Sequence, residues 1–243
     1  MPTITNRQGN ILKTVIESYI GGAHPISSDF LNKSGYFRLS TATLRAEMAT
    51  LERSGFLMQP HTSSGRIPTE LAYRFFVEKN SSTWNLSNAI RDKLSQILKI
   101  WKQDKVSAVE RAAEELADFF QGVSLVNLNL NNNPLFFQRL NYFRSQPEFY
   151  SHQVMDEMLN VLELLQSRRN LITESVDIDK TQVLIGKDIR LGKFKVLSLI
   201  IKPWHSRYGY SSGFIAAVGP MRMHYERAIP AVDFLGSLIS EEK

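Results

Sequence analysis

Apolar positions follow a helical period over the first eighty residues. Ile11, Leu12, Val15, Ile16, Tyr19 and Ile20 form one stripe. Thr5 opens it with Gln8 three residues on, a capping box, and Gly21-Gly22 stops it. A second short helix is predicted from Ser27 or Ser28, burying Phe30 and Leu31 and ending near Gly35. In a third, Leu44, Met48 and Leu51 share one face, with Ser40 as N-cap and Gly55 at C′. A hairpin with a polar, glycine-containing tip follows. A helix over Glu70–Asn80 then turns Leu71, Phe75 and one of Phe76 and Val77 inward.

Ser81-Ser82-Thr83 is a polar break. Beyond it Leu86, Ile90, Leu94, Ile97 and Trp101 recur at nearly heptad spacing, a seam that suits either the chain's own core or a coiled coil between chains. A helix over Ser107–Phe120 follows, with Val109, Leu116 and Phe120 apolar. The period then changes to two, and Val123–Leu130 predicts a half-exposed strand before a turn at Asn131–Pro134. Leu135–Phe143 suits a strand or a short helix. Pro147–Arg168 predicts a helix burying Val154, Met158, Val161, Leu162 and Leu165. Gln182–Gly186, Phe194–Lys202 and Gly213–Gly219 are β-rich. The tail from Met221 reads as helical, interrupted at Pro230, with Val232, Leu235, Leu238 and Ile239 inward. The fold class is α+β. Three parts are expected: residues 1–80, a helical linker or dimer seam over 81–120, and an α+β domain over 121–243.

Composition narrows the function classes. The chain has 243 residues, 22% of them charged, and a net charge of +5, which favours an anionic partner. No cysteine is present, which excludes disulfides, thiol chemistry and zinc fingers. The N-terminus shows no apolar leader, and runs such as Leu197–Ile201 are far too short to span a bilayer. A cytoplasmic protein without membrane contact is expected.

Three short helices and a hairpin are the order of a winged helix-turn-helix. Thr41, Thr43, Arg45 and Ala46 lie on or near the face opposite Leu44, Met48 and Leu51. Short donors and an arginine at a helix N-terminus suit entry into a DNA major groove. Arg45 is placed to read a base, Thr41 and Thr43 to touch phosphate or a thymine methyl, and Arg66 to reach the minor groove or backbone. A plainer alternative is a small helical bundle whose exposed charges are merely solvated.

Longer motifs weigh against that alternative. R-Q-x-x-I-L at Arg7–Leu12, Y-I-x-G with P-I-S-S over Tyr19–Ser28, S-x-A-T-L-R-x-E-M-x-x-L-E at Ser40–Glu52 and P-H-T-S-S-G-R-I-P-T at Pro60–Thr69 resemble the HrcA family of heat-inducible transcription repressors. Q-P-E-F at Gln146–Phe149, I-G-K-D at Ile185–Asp188, S-L-I at Ser198–Ile200 and G-P-M-R-M-H-Y at Gly219–Tyr225 extend the resemblance. It implies a recognition helix from Ser40, with DNA-binding residues Ser40, Thr41, Thr43 and Arg45, and a wing carrying His61, Thr62, Ser63, Ser64 and Arg66. It also implies a GAF-like C-terminal domain. The implied partners are a double-stranded, inverted-repeat operator of the CIRCE type, a second copy of the chain in a homodimer, and the GroEL chaperonin. The family usually carries asparagine after the arginine of the third motif, where this chain has Ala46. Its usual inserted dimerisation segment has little room here, because only sixteen residues lie between Leu130 and Pro147. The competing reading is a regulator whose GAF-like domain senses a small ligand.

Catalytic patterns are thin. Gly209-Tyr210-Ser211-Ser212-Gly213 matches G-x-S-x-G, but a nucleophile elbow needs a helix after the serine, where β-rich sequence stands. His24, His61, His152, His205 and His224 lack metal-ligand spacing. No enzyme, cofactor or metal is expected.

Overall fold

In the computed structural model, which describes residues 2–61, 64–129, 135–167, 180–189, 196–205 and 212–240, the capping box opens the first helix. Thr5 Oγ1 accepts the Gln8 N–H at 3.2 Å, and Gln8 Oε1 accepts the Thr5 N–H at 3.0 Å. Helix α1 (Asn6–Gly22) buries Ile11, Leu12, Val15, Ile16 and Ile20, while Tyr19 stays partly exposed. It ends at the glycine pair as expected, with both glycines still helical and Ala23 in the left-handed cap at φ 54°.

Helix α2 (Ser28–Lys33) is capped by Ser27. Its buried positions are Ser28 and Leu31, one helical turn apart, so Phe30 rotates outward. Phe30, expected inside, is 49% exposed. Helix α3 (Thr41–Arg53) has Ser40 as N-cap and buries Leu44, Met48 and Leu51 completely. It ends in a Schellman motif: Gly55 at φ 81° donates to Glu52 O at 2.9 Å, and Phe56 N–H to Leu51 O at 2.9 Å.

Strands β1 (Leu57–Met58) and β2 (Ile67–Pro68) pair antiparallel. Helix α4 (Glu70–Asn80) follows from the N-cap Thr69. It buries Ala72, Tyr73 and Phe76, whereas Leu71 and Phe75 are only partly covered. Phe75 instead meets Phe56 edge-to-face at 5.4 Å. These elements make the first compact unit, Met1–Ser82.

The second unit, Thr83–Lys243, is a five-stranded sheet with helices on both faces. Its helices are α5 (Asn88–Trp101), α6 (Lys105–Phe120), α7 (Tyr142–Ser145), α8 (His152–Ser167) and α9 (Tyr225–Ser240). Its strands are β3 (Val123–Asn129), β4 (Leu135–Gln138), β5 (Gln182–Ile185), β6 (Leu197–His205) and β7 (Ser212–Pro220), in antiparallel order β4-β3-β7-β6-β5. Leu125, Leu199, Ile201, Phe214, Ala216 and Val218 lie on one sheet face and form a single core with Met158, Val161 and Leu165 of α8. On the other face Ser124 Oγ donates to Ala113 O of α6, Lys202 Nζ reaches Asp233 of α9 at 3.1 Å, and Trp204 meets Trp101 of α5 edge-to-face.

That double cover corrects several expectations. Strand β3 is central and buried from Val123 to Asn127, not half-exposed, because its polar Ser124 finds a carbonyl inside. The segment Leu135–Phe143 is both alternatives in turn, strand β4 and then the start of α7. A 3₁₀ turn at Pro147–Tyr150 precedes α8. Helix α9 continues through Pro230, since Ala228, Ala231 and Val232 on either side are fully buried and hold it. The seam residues Leu94, Ile97 and Trp101 are buried within the unit, where α5 packs on α6 and α9, so they face the chain's own core. The expected turn at Asn131–Pro134 lies outside the described residues. Among the described residues no helix is long and apolar enough to cross a membrane.

Candidate nucleic-acid interface

The side of α3 opposite its buried stripe is set by helical spacing. Ala42, Arg45, Ala46 and Arg53 are exposed and Ala49 partly so, at positions that share one face. Arg45 and Ala46 therefore stand where sequence placed them. Thr41 and Thr43 flank this stripe and are partly covered. Thr43 is also engaged locally: Ser40 Oγ accepts its N–H at 3.2 Å, and the two hydroxyls lie 3.0 Å apart. Arg53, two turns beyond Arg45, belongs to the same face. Its spacing from Arg45 in steps of three and four residues is the sequence signal that marks it.

Charge pairing sorts the cations of the first unit. Arg7 binds Glu47 at 2.7 Å, Lys13 lies 3.8 Å from Glu17, Arg66 binds Glu52 at 2.9 Å, and Arg74 pairs with Glu70. Among the described residues Lys33, Arg38, Arg45, Arg53 and Lys79 form no ion pair, and Arg53 donates to Thr50 Oγ1 at 2.8 Å. Arg7–Glu47 and Arg66–Glu52 tie α3 to its neighbours, whereas Lys13–Glu17 and Arg74–Glu70 each lie within one helix. Four of the five cations without an ion pair stand on α2, α3 and the turn between them.

The hairpin tip is tied to itself. Ser64 Oγ donates to His61 O at 2.7 Å and accepts the His61 N–H at 3.0 Å, while Gln59 Nε2 donates to Ser64 O at 2.9 Å. His61 is exposed. Thr62 and Ser63 lie outside the described residues. Arg66 sits at the base of the tip with its side chain 16% exposed and its Nε on Glu52 Oε2. Its backbone exchanges hydrogen bonds with Ile26, N–H to O at 2.8 Å and O from N–H at 2.9 Å. The hairpin is thereby fastened to the loop before α2.

The second unit offers less. The sheet face toward α8 is filled by Val123, Leu125, Phe149, Met158, Leu199 and Phe214. Ser211 lies outside the described residues, but β7 begins at Ser212, so no helix follows the serine as an elbow requires. Among the described residues no three His, Asp or Glu side chains gather to hold a metal.

Comparison with known proteins finds a family match over most of the chain. The family model described as the HrcA protein C terminal domain matches residues 72–229. A heat-inducible transcription repressor HrcA of Natranaerobius thermophilus is 32% identical over 238 residues, 88% of this chain and 67% of the relative. The protein of that name in Carboxydothermus hydrogenoformans is 26% identical over 338 aligned positions, 98% of each chain. Since this chain has 243 residues, at least 95 of those positions have no counterpart in it. A solved structure described as a hypothetical protein shares the fold, with a TM-score of 0.74 at 17% identity over 98% of this chain and 97% of the other. The family model spans well over half of the sequence, and the chain belongs to the HrcA family.

Proposed function

We propose that the chain is a heat-inducible transcription repressor that binds double-stranded operator DNA as a homodimer. In this reading Met1–Ser82 is a winged helix-turn-helix, α3 is its recognition helix and β1–β2 its wing, and the α+β unit is GAF-like. The observation that carries it is the outer face of α3. Two arginines without an ion pair, Arg45 and Arg53, share that face with three alanines, Ala42, Ala46 and Ala49, on a helix whose other side is locked into the core. Small side chains let the helix settle deep in the major groove, where alanine methyls meet thymine methyls and Arg45 reaches guanine O6 and N7 together. Ser40, Thr41 and Thr43 at the N-terminus, with His61, Thr62, Ser63 and Ser64 of the wing tip, contact phosphate or sugar. We infer that Arg66 holds the wing in place, since its Nε already donates to Glu52 Oε2.

Two recognition helices on an inverted repeat must sit one helical turn apart, or a multiple of it. The family resemblance supplies the CIRCE-type operator, the chaperone operons it controls, the GroEL chaperonin as a folding partner and a cytoplasmic setting. The positions missing relative to the Carboxydothermus protein fit a shortened form without the family's inserted dimerisation segment. The dimer of this chain then forms through another surface, and not through Leu94, Ile97 and Trp101, which are buried.

A gel shift with an inverted-repeat operator and a scrambled duplex, at two salt concentrations, tests the proposal. Operator preference with steep salt dependence supports it, and binding indifferent to sequence overturns it. Arg45→Ala should cost roughly 1–3 kcal/mol and relax preference at one base pair.

A further inference from the structure

From Phe30 to Ala46 the chain carries Lys33, Arg38 and Arg45 and not one carboxylate. The turn joining α2 to α3 holds the middle of that stretch, and it is pinned at both ends. Ser34 N–H donates to Phe30 O at 2.9 Å and Gly35 N–H to Asn32 O at 3.3 Å, with Gly35 in the left-handed region at φ 75°. At the far end Asn32 Nδ2 donates to Leu39 O at 2.8 Å. Between these fixed points the side chains alternate. Phe37 and Leu39 are half-buried, while Arg38 is exposed and Tyr36 is 74% exposed. A large aromatic held out on a braced turn beside an unpaired arginine loses apolar cover and gains nothing within the fold. Its hydroxyl and the guanidinium suit an external anion.

We propose that Tyr36, Arg38 and Lys33 form a phosphate clamp that grips the sugar-phosphate backbone of duplex DNA along the groove entered by α3. This rests on the DNA-binding reading above and adds a set of contacts that the recognition helix and wing do not provide. Arg38 precedes the N-cap Ser40 by two residues, so at most about 7 Å of chain separates it from the start of α3. The end of a recognition helix that meets the base edges is flanked by phosphates, and side chains just before it lie against them. Arg38 and Lys33 supply charge, and Tyr36 supplies a neutral hydroxyl donor. None of the three reads sequence.

The test titrates the full-length chain with labelled operator and scrambled duplexes between about 50 and 200 mM salt. Arg38→Ala should weaken binding to both duplexes by the same factor and reduce the salt slope by about one. Its deficit then shrinks about three- to fourfold across that salt range. Arg38→Lys should restore the slope. Tyr36→Phe should weaken both duplexes alike with the slope unchanged, because no charge is lost. Wild-type affinity and slope in Arg38→Ala overturn the clamp while leaving the repressor reading intact. A selective loss of operator preference also overturns it, by making Arg38 a base reader. Wild-type protein that binds neither duplex removes the clamp and the repressor reading together.

Discussion

Arg66 donates from Nε to Glu52 Oε2 at 2.9 Å, joining the base of the hairpin to the penultimate residue of α3. The hairpin and the helix are thus set relative to each other by a half-buried ion pair. Arg66→Ala and Glu52→Ala should each weaken binding to operator and scrambled duplex by about 1 kcal/mol, as expected for a charged hydrogen bond of this exposure. The double substitution should cost little more than either alone. If Arg66 contacted DNA directly, it would lose affinity in the Glu52→Ala background as well, and the double-mutant cycle separates the two outcomes.

Gly65 lies against the loop before α2. A Cβ there would stand 2.5 Å from both C and O of Ile26 and 2.8 Å from Pro25 C, all backbone atoms that cannot swing aside. Gly65→Ala should break the Ile26–Arg66 pair of hydrogen bonds and lower stability by roughly 1–3 kcal/mol. The loss is read as a lower melting temperature, and DNA affinity should fall with it because the wing is released. Gly9→Ala, within α1 where nothing lies within 4 Å, is the contrasting control and should raise stability by about 0.5–1 kcal/mol while leaving DNA affinity unchanged.

Much of the first unit is legible in the sequence because its signals are local. The Thr5 capping box, the Ser40 N-cap, the Gly55 stop and the Leu44–Met48–Leu51 stripe each involve neighbours within seven residues. What sequence misses depends on distant partners. Arg66 looks free until Glu52, fourteen residues away, is seen to hold it. Phe30 looks like core because it is large, but the six-residue α2 turns only Ser28 and Leu31 inward. The polar Ser124 marks β3 as half-exposed until the Ala113 carbonyl on α6 takes its hydroxyl. Pro230 marks a break until the packing of Ala228, Ala231 and Val232 overrides it.

The seam over Leu86–Trp101 shows why periodicity alone leaves two readings. Leu94 is 2% exposed in a unit where α5 packs on α6 and α9. Leu94→Ala should therefore cost about 2–5 kcal/mol as a core cavity. Its drop in melting temperature relative to the wild type should be the same at every protein concentration, with the monomer–dimer balance in sedimentation unchanged. An intermolecular coiled coil predicts instead a drop that depends on protein concentration and a shift toward monomer in sedimentation.

Tyr225 opens α9 fully buried, donating to Met221 O at 2.8 Å with Ser198 Oγ 2.6 Å away. Since its own proton goes to Met221, Ser198 is the donor in the second bond. Burial pushes the phenol well above its ordinary range, and the Ser198 hydrogen bond only partly offsets this. In the unfolded chain the phenol ionises near pH 10, whereas the folded chain keeps the proton. Between those two pKa values the folded state binds more protons, so stability falls as pH rises. Below about pH 9 this group contributes no pH dependence, and above pH 10 it removes up to about 1.4 kcal/mol per pH unit. Tyr225→Phe should cost roughly 1–3 kcal/mol at neutral pH by leaving the Met221 carbonyl and Ser198 hydroxyl unsatisfied. Its urea midpoint should then fall less steeply than the wild type's above pH 10, so that the two curves converge. A gap between the curves that stays constant from neutral to strongly alkaline pH would mean that Tyr225 does not hold its proton through the fold.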